Sequence, residues 1–183
     1  SRFRPSGGGC HTWDDYRLTR EQLAELSAFL GGHPEILTGD SFFHLNALGQ
    51  EAGTGPLPGL NMCGAGRVVC LIDPIGDVYA CPFVIHDEFK AGSVRDTGGF
   101  AHVWKHSDLF AELREPQSAG ACTSCGSYDA CQGGCMAAKF FVGIPLDGPD
   151  PECVGGYGEA AMLAASAERP RPMMDHSKPV RVA

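Results

Sequence analysis

Apolar residues recur at helical spacing in four segments of the chain. The clearest segment is 19–30, where Thr19 can cap the first turn and the Gly31-Gly32 pair follows the last apolar position. Shorter helices are predicted at 107–114, 136–141 and 159–167.

Two apolar stretches on either side of a turn signal predict a β-hairpin. Residues 67–72 and 77–81 have strand composition, and the Asp73-Pro-Ile-Gly76 turn between them has Pro second and Gly fourth. Another short strand is predicted at 91–94, and weaker extended signals lie at 2–5, 35–37 and 42–45. Short helices beside an antiparallel hairpin indicate the α+β class.

A glycine- and proline-rich stretch separates the two ends of the chain. Residues 46–60 contain four glycines and two prolines and are predicted to be a linker. We therefore expect an N-terminal region at 1–60, a central cysteine-bearing domain at 61–157, and a helix with a polar tail at 158–183.

Composition excludes some functions and indicates how a small core is held. The formal net charge of −8, from 14 basic and 22 acidic residues, argues against a nucleic-acid surface. No apolar run approaches the roughly 20 residues that a membrane span requires. The 25 glycines and 13 prolines imply many loops, and loop-rich folds with small cores are often held together by metal.

Eight of the nine cysteines lie between residues 63 and 153. Their spacing is Cys63-x6-Cys70-x10-Cys81, then, after 40 residues, Cys122-x2-Cys125-x5-Cys131-x3-Cys135, then, after 17 more, Cys153. Thiolates brought together by short loops bind soft or borderline metals, and eight suffice for two four-thiolate sites. The sequence therefore predicts a metalloprotein.

Other uses of these cysteines are structural zinc sites and disulfides. Paired cysteines also build zinc ribbons, but the x2, x5, x3 run does not divide into two matching Cys-x2-Cys pairs, which favours iron–sulfur clusters. A secreted disulfide framework is usually shorter, with an even cysteine count, whereas this chain has 183 residues and nine cysteines.

The cysteine pattern resembles the SPASM domain, the cluster-bearing C-terminal extension of many radical SAM peptide-modifying enzymes. The family's signature begins with a cysteine, which here is Cys63, and 12 residues later comes the segment Gly76-x4-Cys81. The run from Cys122 to Cys135 and the final Cys153 complete the signature, and all of these positions match. Cys70 occupies the place of the eighth ligand in members that carry two full clusters. The resemblance covers about half of the chain.

A narrower resemblance, to the mycofactocin radical SAM maturases, is carried by stretches outside the cysteine spacing. These stretches are LTGDSFFH at 37–44, GAGRVVC at 64–70, REPQSAGAC at 114–122, CMAAKFF at 135–141 and PLDGPDPEC at 145–153. The resemblance implies that the N-terminal region ends a partial radical SAM barrel, as its last β/α portion.

This second resemblance also implies a reaction and partners. Enzymes of that family oxidatively decarboxylate the C-terminal tyrosine of a Val-Tyr precursor peptide, and then form a carbon–carbon bond to the valine. A small peptide-chaperone protein presents the precursor, and an electron donor or acceptor is required. We expect a reducing, cytoplasmic setting, without nucleic acid or membrane as partner.

The resemblance implies two auxiliary [4Fe–4S] clusters with crossed ligands. Auxiliary cluster I takes one set of cysteines: Cys63, Cys70, Cys81 and Cys135. Auxiliary cluster II takes the other set: Cys122, Cys125, Cys131 and Cys153. Full thiolate ligation favours electron transfer over binding of substrate to iron.

One motif of radical SAM enzymes does not occur in this sequence. Their SAM-cleaving cluster, a third [4Fe–4S] cluster, is held by Cys-x3-Cys-x2-Cys, but the x3 pair Cys131 and Cys135 is followed by Ala138 at the third position. We therefore expect the C-terminal part of a longer enzyme, without a SAM site of its own and inactive alone. The sequence identifies no catalytic acid or base. The alternative is a free-standing cluster or zinc module, acting as an interaction or electron-carrier protein.

Overall fold

The computed structural model describes residues 3–36, 38, 45 and 61–168. The chain divides into two compact units. The first unit comprises residues 1–63 and 117–172, and the second comprises 64–116 and 173–183. The first unit thus joins the N-terminal region to the second half of the cysteine-bearing region, and the three-part division expected from sequence stays a prediction.

Short helices make up most of the regular structure. In chain order they are α1 (Trp13–Tyr16), α2 (Arg20–Gly31), α3 (Gly99–His106), α4 (Asp108–Arg114), α5 (Tyr128–Cys131), α6 (Met136–Val142) and α7 (Tyr157–Glu168). Single 3-10 turns occur at Gly7–His11, Asp87–Phe89 and Gly120–Cys122. The strands are β1 (Leu71–Ile72), β2 (Asp77–Tyr79) and β3 (Lys90–Ser93).

Helix α2 begins at a capping box, as its sequence predicts. The Thr19 side chain accepts a hydrogen bond from the Gln22 amide, and the Gln22 side chain accepts one from the Thr19 amide. The two bonds satisfy amide groups that a helix start otherwise leaves unpaired. Because both are local, the start of α2 is fixed by its own sequence.

The first unit has a small apolar core around Trp13. This side chain is fully buried and packs with Val142 and Ile144 at the end of α6 and with Met162 and Ala165 of α7. The core therefore attaches the N-terminal segment to the two helices that flank the last cysteine.

The second unit is built on an antiparallel three-stranded sheet in the order β1-β2-β3. The predicted turn lies between β1 and β2, where the Asp73 side chain accepts hydrogen bonds from the Ile75 and Asp77 amides. Gly76 has a φ of 89°, a conformation that favours glycine. The turn residues therefore determine the hairpin that carries Cys70 and Cys81.

Arg114 contacts both aromatic rings and backbone carbonyls within the second unit. Its guanidinium lies 4.9 Å from the Trp104 ring centre and 5.6 Å from that of Phe110. It also donates hydrogen bonds of 2.8 Å to the carbonyls of Gly66 and Trp104. Arg114 thus links α3 and α4 to the loop that follows Cys63.

Most of the predicted elements are confirmed, including the α+β class, helices α2, α4, α6 and α7, and the three strands. The strand predicted at 67–72 is wrong at its start: residues 67 and 68 form a turn, Val69 forms an isolated bridge with Ala65, and the paired strand is Leu71–Ile72. Helix α3 was not predicted. Phe3–Pro5 is not in a strand, and Leu45, predicted to be extended, is helical. The other residues of 42–45, the linker at 46–60 and the tail after 168 lie outside the described residues.

Within the ranges that the structure describes, no helix has the length and apolar character needed to cross a membrane.

We expect the Arg114→Met substitution to lower the free energy of unfolding by about 2–3 kcal/mol, since it leaves two carbonyls without their donor and removes the cation from the Trp104 face. Urea titration followed by tryptophan fluorescence, at matched metal content, measures this change. The control is Arg95→Met, at an exposed position, which should change stability by less than about 0.5 kcal/mol. Equal effects of the two substitutions would contradict a structural role for Arg114.

Candidate metal centre

Four of the predicted ligands line one cavity in the first unit. The cavity has a volume of about 440 Å³, and its wall contains the side chains of Cys122, Cys125, Cys131 and Cys153. This is the complete set that the family resemblance implies for auxiliary cluster II. The structure thus brings together cysteines separated by up to 31 residues of chain.

The thiols in this cavity affect one another electrostatically. The pKa of Cys131 is raised to about 11, chiefly by burial and to a smaller extent by Cys153, Cys122 and Cys125. Burial also raises the pKa of Cys122 and of Cys153, each with an added contribution from Cys125. Without a metal these three thiols are therefore protonated near neutral pH, and a metal must displace their protons to bind.

Short turns bring the first three of these cysteines to the cavity. The Cys125 amide donates to the Cys122 carbonyl at 3.3 Å, and the Tyr128 amide donates to the Cys125 carbonyl at 3.1 Å. Cys131 is the last residue of α5. The tight spacing in sequence therefore becomes a compact series of turns with the sulfur atoms on one side.

Three consecutive residues in the left-handed conformation follow Cys131. Gln132, Gly133 and Gly134 have φ values of 48°, 75° and 78°. A Cβ atom at Gly134 would lie 2.2 Å from Asp150 Oδ2, so no other residue fits without movement. Both glycines therefore let the chain turn tightly between the two predicted ligands Cys131 and Cys135.

Asp150 connects this turn to the loop of the last cysteine. Its carboxylate accepts a 2.7 Å hydrogen bond from the Cys135 amide and a 2.8 Å hydrogen bond from the Glu152 amide. The Cys153 amide in turn donates to the Asp150 carbonyl at 3.0 Å. One buried side chain thus positions two cysteine-bearing segments.

Helix α2 forms part of the cavity wall through Ala24, Ser27 and Ala28. Arg20, at its start, donates a 3.1 Å hydrogen bond to the Val154 carbonyl, next to Cys153. Sequence analysis placed α2 in the N-terminal region and did not assign it to the metal centre. Its small side chains, which leave room beside the thiols, carry no sequence signal of such a role.

The cysteines assigned to auxiliary cluster I are divided between the two units. Cys63 and Cys135 belong to the first unit, and Cys70 and Cys81 belong to the second. Two of them have amide–sulfur contacts of 3.5 Å: the Ala138 amide donates to Cys135 Sγ and the Phe83 amide to Cys81 Sγ. The assignment of this set stays a prediction.

The cavity lined by the four cysteines has room for an iron–sulfur cluster. All nine cysteines are free thiols. In the described ranges, no group of three or more His, Cys, Asp or Glu side chains is already placed closely enough to hold a metal ion. The cavity volume of about 440 Å³ lies within the range of small-molecule pockets, roughly 300–1,000 Å³, so a compact cluster of four iron and four sulfur atoms has room.

The helix that follows Cys135 contains a buried lysine. Lys139 is fully buried in α6, and its ammonium donates hydrogen bonds to the carbonyls of Leu146 and Gly148. Sequence analysis missed it, although a single lysine within the apolar stretch Met136–Val142 is a recognisable signal: a charge on a buried helix requires partners.

The chain is similar to proteins of known family. Residues 63–126 match the family model described as SPASM, iron-sulfur cluster-binding domain. The mycofactocin maturase MftC of Mycobacterium tuberculosis is 64% identical over 184 aligned residues, which cover 100% of this chain and 46% of that protein. MftC of Mycolicibacterium smegmatis is 62% identical over 179 residues, covering 97% of this chain and 45% of the relative.

A solved structure, "Native anSMEcpe with bound AdoMet and Kp18Cys peptide", matches 85% of this chain and 45% of that chain, with a TM-score of 0.47 and 15% identity. The chain spans about half the length of the curated relatives it matches. Residues 63–126 are thus similar to SPASM iron–sulfur cluster-binding domains, and the chain is similar to a C-terminal portion of the mycofactocin maturases.

Proposed function

We propose that this chain is the cluster-binding portion of a radical SAM peptide maturase. The observation that carries the proposal is the convergence of Cys122, Cys125, Cys131 and Cys153 on one cavity. The SPASM match and the similarity to MftC support the same function.

The chain's own residues have distinct tasks in this proposal. One cysteine set holds auxiliary cluster II: Cys122, Cys125, Cys131 and Cys153. The other set holds auxiliary cluster I: Cys63, Cys70, Cys81 and Cys135. Each bound [4Fe–4S] cluster supplies one-electron transfer. Asp150 and the Gly133-Gly134 turn fix the ligand loops, and α2 forms part of the cavity wall.

The whole enzyme, in this proposal, acts on the C-terminal Val-Tyr of a mycofactocin precursor peptide. It decarboxylates the tyrosine oxidatively and joins it to the valine by a carbon–carbon bond, using SAM and a third cluster held outside this chain. A small peptide chaperone presents the precursor, and an electron partner receives or supplies electrons in a reducing cytoplasm. Support comes from the 64% identity to a mycofactocin maturase.

Metal content tests the cluster assignment directly. Anaerobically reconstituted protein should be brown and contain about eight iron atoms per chain, as two [4Fe–4S] clusters require. Iron, sulfide and zinc analysis provide the measurement. Colourless protein with about two zinc ions would instead support the alternative, a zinc module that serves as an interaction protein.

Paired cysteine substitutions test the crossed ligation. We expect Cys135→Ser to disturb the spectroscopic signal of the cluster held by Cys63, Cys70 and Cys81, and Cys153→Ser to disturb the other signal. Electron paramagnetic resonance of the reduced protein distinguishes the two. Cys10→Ser is the matched control, because Cys10 lies outside both sets and should leave both signals intact. If Cys135→Ser and Cys153→Ser erase the same signal, the assignment is wrong.

The absence of a Cys-x3-Cys-x2-Cys motif predicts that this chain alone neither binds SAM tightly nor produces 5′-deoxyadenosine. As part of a full-length maturase it should support SAM-dependent loss of carbon dioxide from a Val-Tyr peptide. Substituting Cys81 or Cys125 with Ser should then impair peptide modification more than SAM cleavage. Chromatographic assays of both products provide the comparison, and deoxyadenosine formation by this chain alone would contradict the proposal.

A further inference from the structure

Lys139 is a buried cation at the centre of the first unit. Its side chain is 0% exposed, although the neighbouring positions of α6 are occupied by alanine, phenylalanine and valine. Removing an ammonium group from water is costly unless it is paired and hydrogen-bonded. A lysine retained at this position therefore has specific partners.

The ammonium is held by backbone carbonyls of the loop that leads to Cys153. Nζ donates to the Leu146 carbonyl and, at 3.2 Å, to the Gly148 carbonyl. On another side it faces Gly133, where an added Cβ atom would lie 3.0 Å from Nζ. These contacts hold the positive charge beside the turn that joins Cys131 to Cys135.

Lys139 interacts electrostatically with thiols of both ligand sets. Burial lowers the pKa of Lys139, and this effect is opposed by Asp150, Cys63, Cys122 and Cys135. Cys63 and Cys135 belong to the set for auxiliary cluster I, and Cys122 belongs to that for cluster II. The cation therefore lies within electrostatic reach of ligands from both sets.

Asp150 places a negative charge beside the same turn, between Cys131 and Cys135. It is 7% exposed, and its carboxylate accepts hydrogen bonds from the Cys135 and Glu152 amides. Charges separated by protein interior interact more strongly than charges separated by water, because the effective dielectric constant is lower. Lys139 should thus stabilise negative charge on a group that the cysteines hold, and Asp150 should destabilise it.

We propose that Lys139 and Asp150, two buried residues of opposite charge beside the Gly133-Gly134 turn, set the reduction potentials of the bound iron–sulfur clusters. Lys139 raises these potentials and Asp150 lowers them. The inference rests on the proposed function and deepens it. Each electron accepted by a thiolate-ligated cluster adds negative charge, which a nearby cation stabilises and a nearby anion destabilises. The pair thereby regulates how readily the clusters accept electrons.

Redox titration of the full 183-residue chain tests this inference. Dithionite supplies the electrons through mediators, and electron paramagnetic resonance follows the reduced clusters. Lys139→Met should shift at least one midpoint potential to a more negative value, and Asp150→Asn should shift it to a more positive value. Lys139→Arg, which keeps the charge, should retain the wild-type potential more closely than Lys139→Met does.

Exposed charges provide matched controls. Lys105→Met and Asp108→Asn remove the same charges from exposed positions of α3 and α4. Solvent and salt screen such charges, so neither variant should shift a potential. These controls separate an effect of the buried pair from an effect of net charge.

Iron content measured beside each titration makes every outcome decisive. Shifts of opposite sign at full iron content support the proposal. Unchanged potentials, or shifts of the same sign in both variants, would overturn it. Loss of iron in both charge-removing variants would also overturn it, because the two residues would then be needed only for cluster assembly. If only one of these two variants loses iron, the sign of the potential shift in the other variant supports or overturns the proposal. Wild-type protein that binds zinc and no iron would overturn the proposed function itself, before any variant is compared.

Discussion

The first unit depends on the need to bring four thiols, buried or half-buried, to one cavity. Burial raises the pKa of Cys122, Cys131 and Cys153, so the thiols bind a metal only when it displaces their protons. The surrounding structure meets this need with tight turns and small side chains. Binding of the metal and ordering of the loops are therefore coupled: the bound group would supply the stability that so small an apolar core does not.

The contact between Asp150 and the Gly133-Gly134 turn fixes the backbone that carries the cysteines. The Asp150 carboxylate bonds the Cys135 amide and occupies the space that a side chain at Gly134 would fill. The same loop supplies the carbonyls that hold Lys139. Ligand position and local charge are consequently fixed by the same few residues, and in our proposal one junction determines both cluster ligation and reduction potential.

The second unit is stabilised by a different kind of contact. Its hairpin turn is determined locally by Asp73 and Gly76, whereas its two helices are joined to the loop after Cys63 by Arg114. A cation that lies against two aromatic rings and donates hydrogen bonds to backbone carbonyls stabilises this unit. Rigid support of the hairpin that carries Cys70 and Cys81 fits their predicted role as ligands.

The sequence by itself determined those features that depend on local chemistry. The capping box of α2, the Asp73–Gly76 turn and the cysteine spacing each act over a few residues, so they predicted a helix, a hairpin and a metal centre. Only the tertiary structure decided that α2 lines the cavity and that Asp150 bonds the Cys135 amide. Such contacts join residues far apart in the chain, and their partners are set by how whole segments pack. Helix α3 was missed for a related reason: it begins at consecutive glycines, and its place depends on packing against α4 and β3.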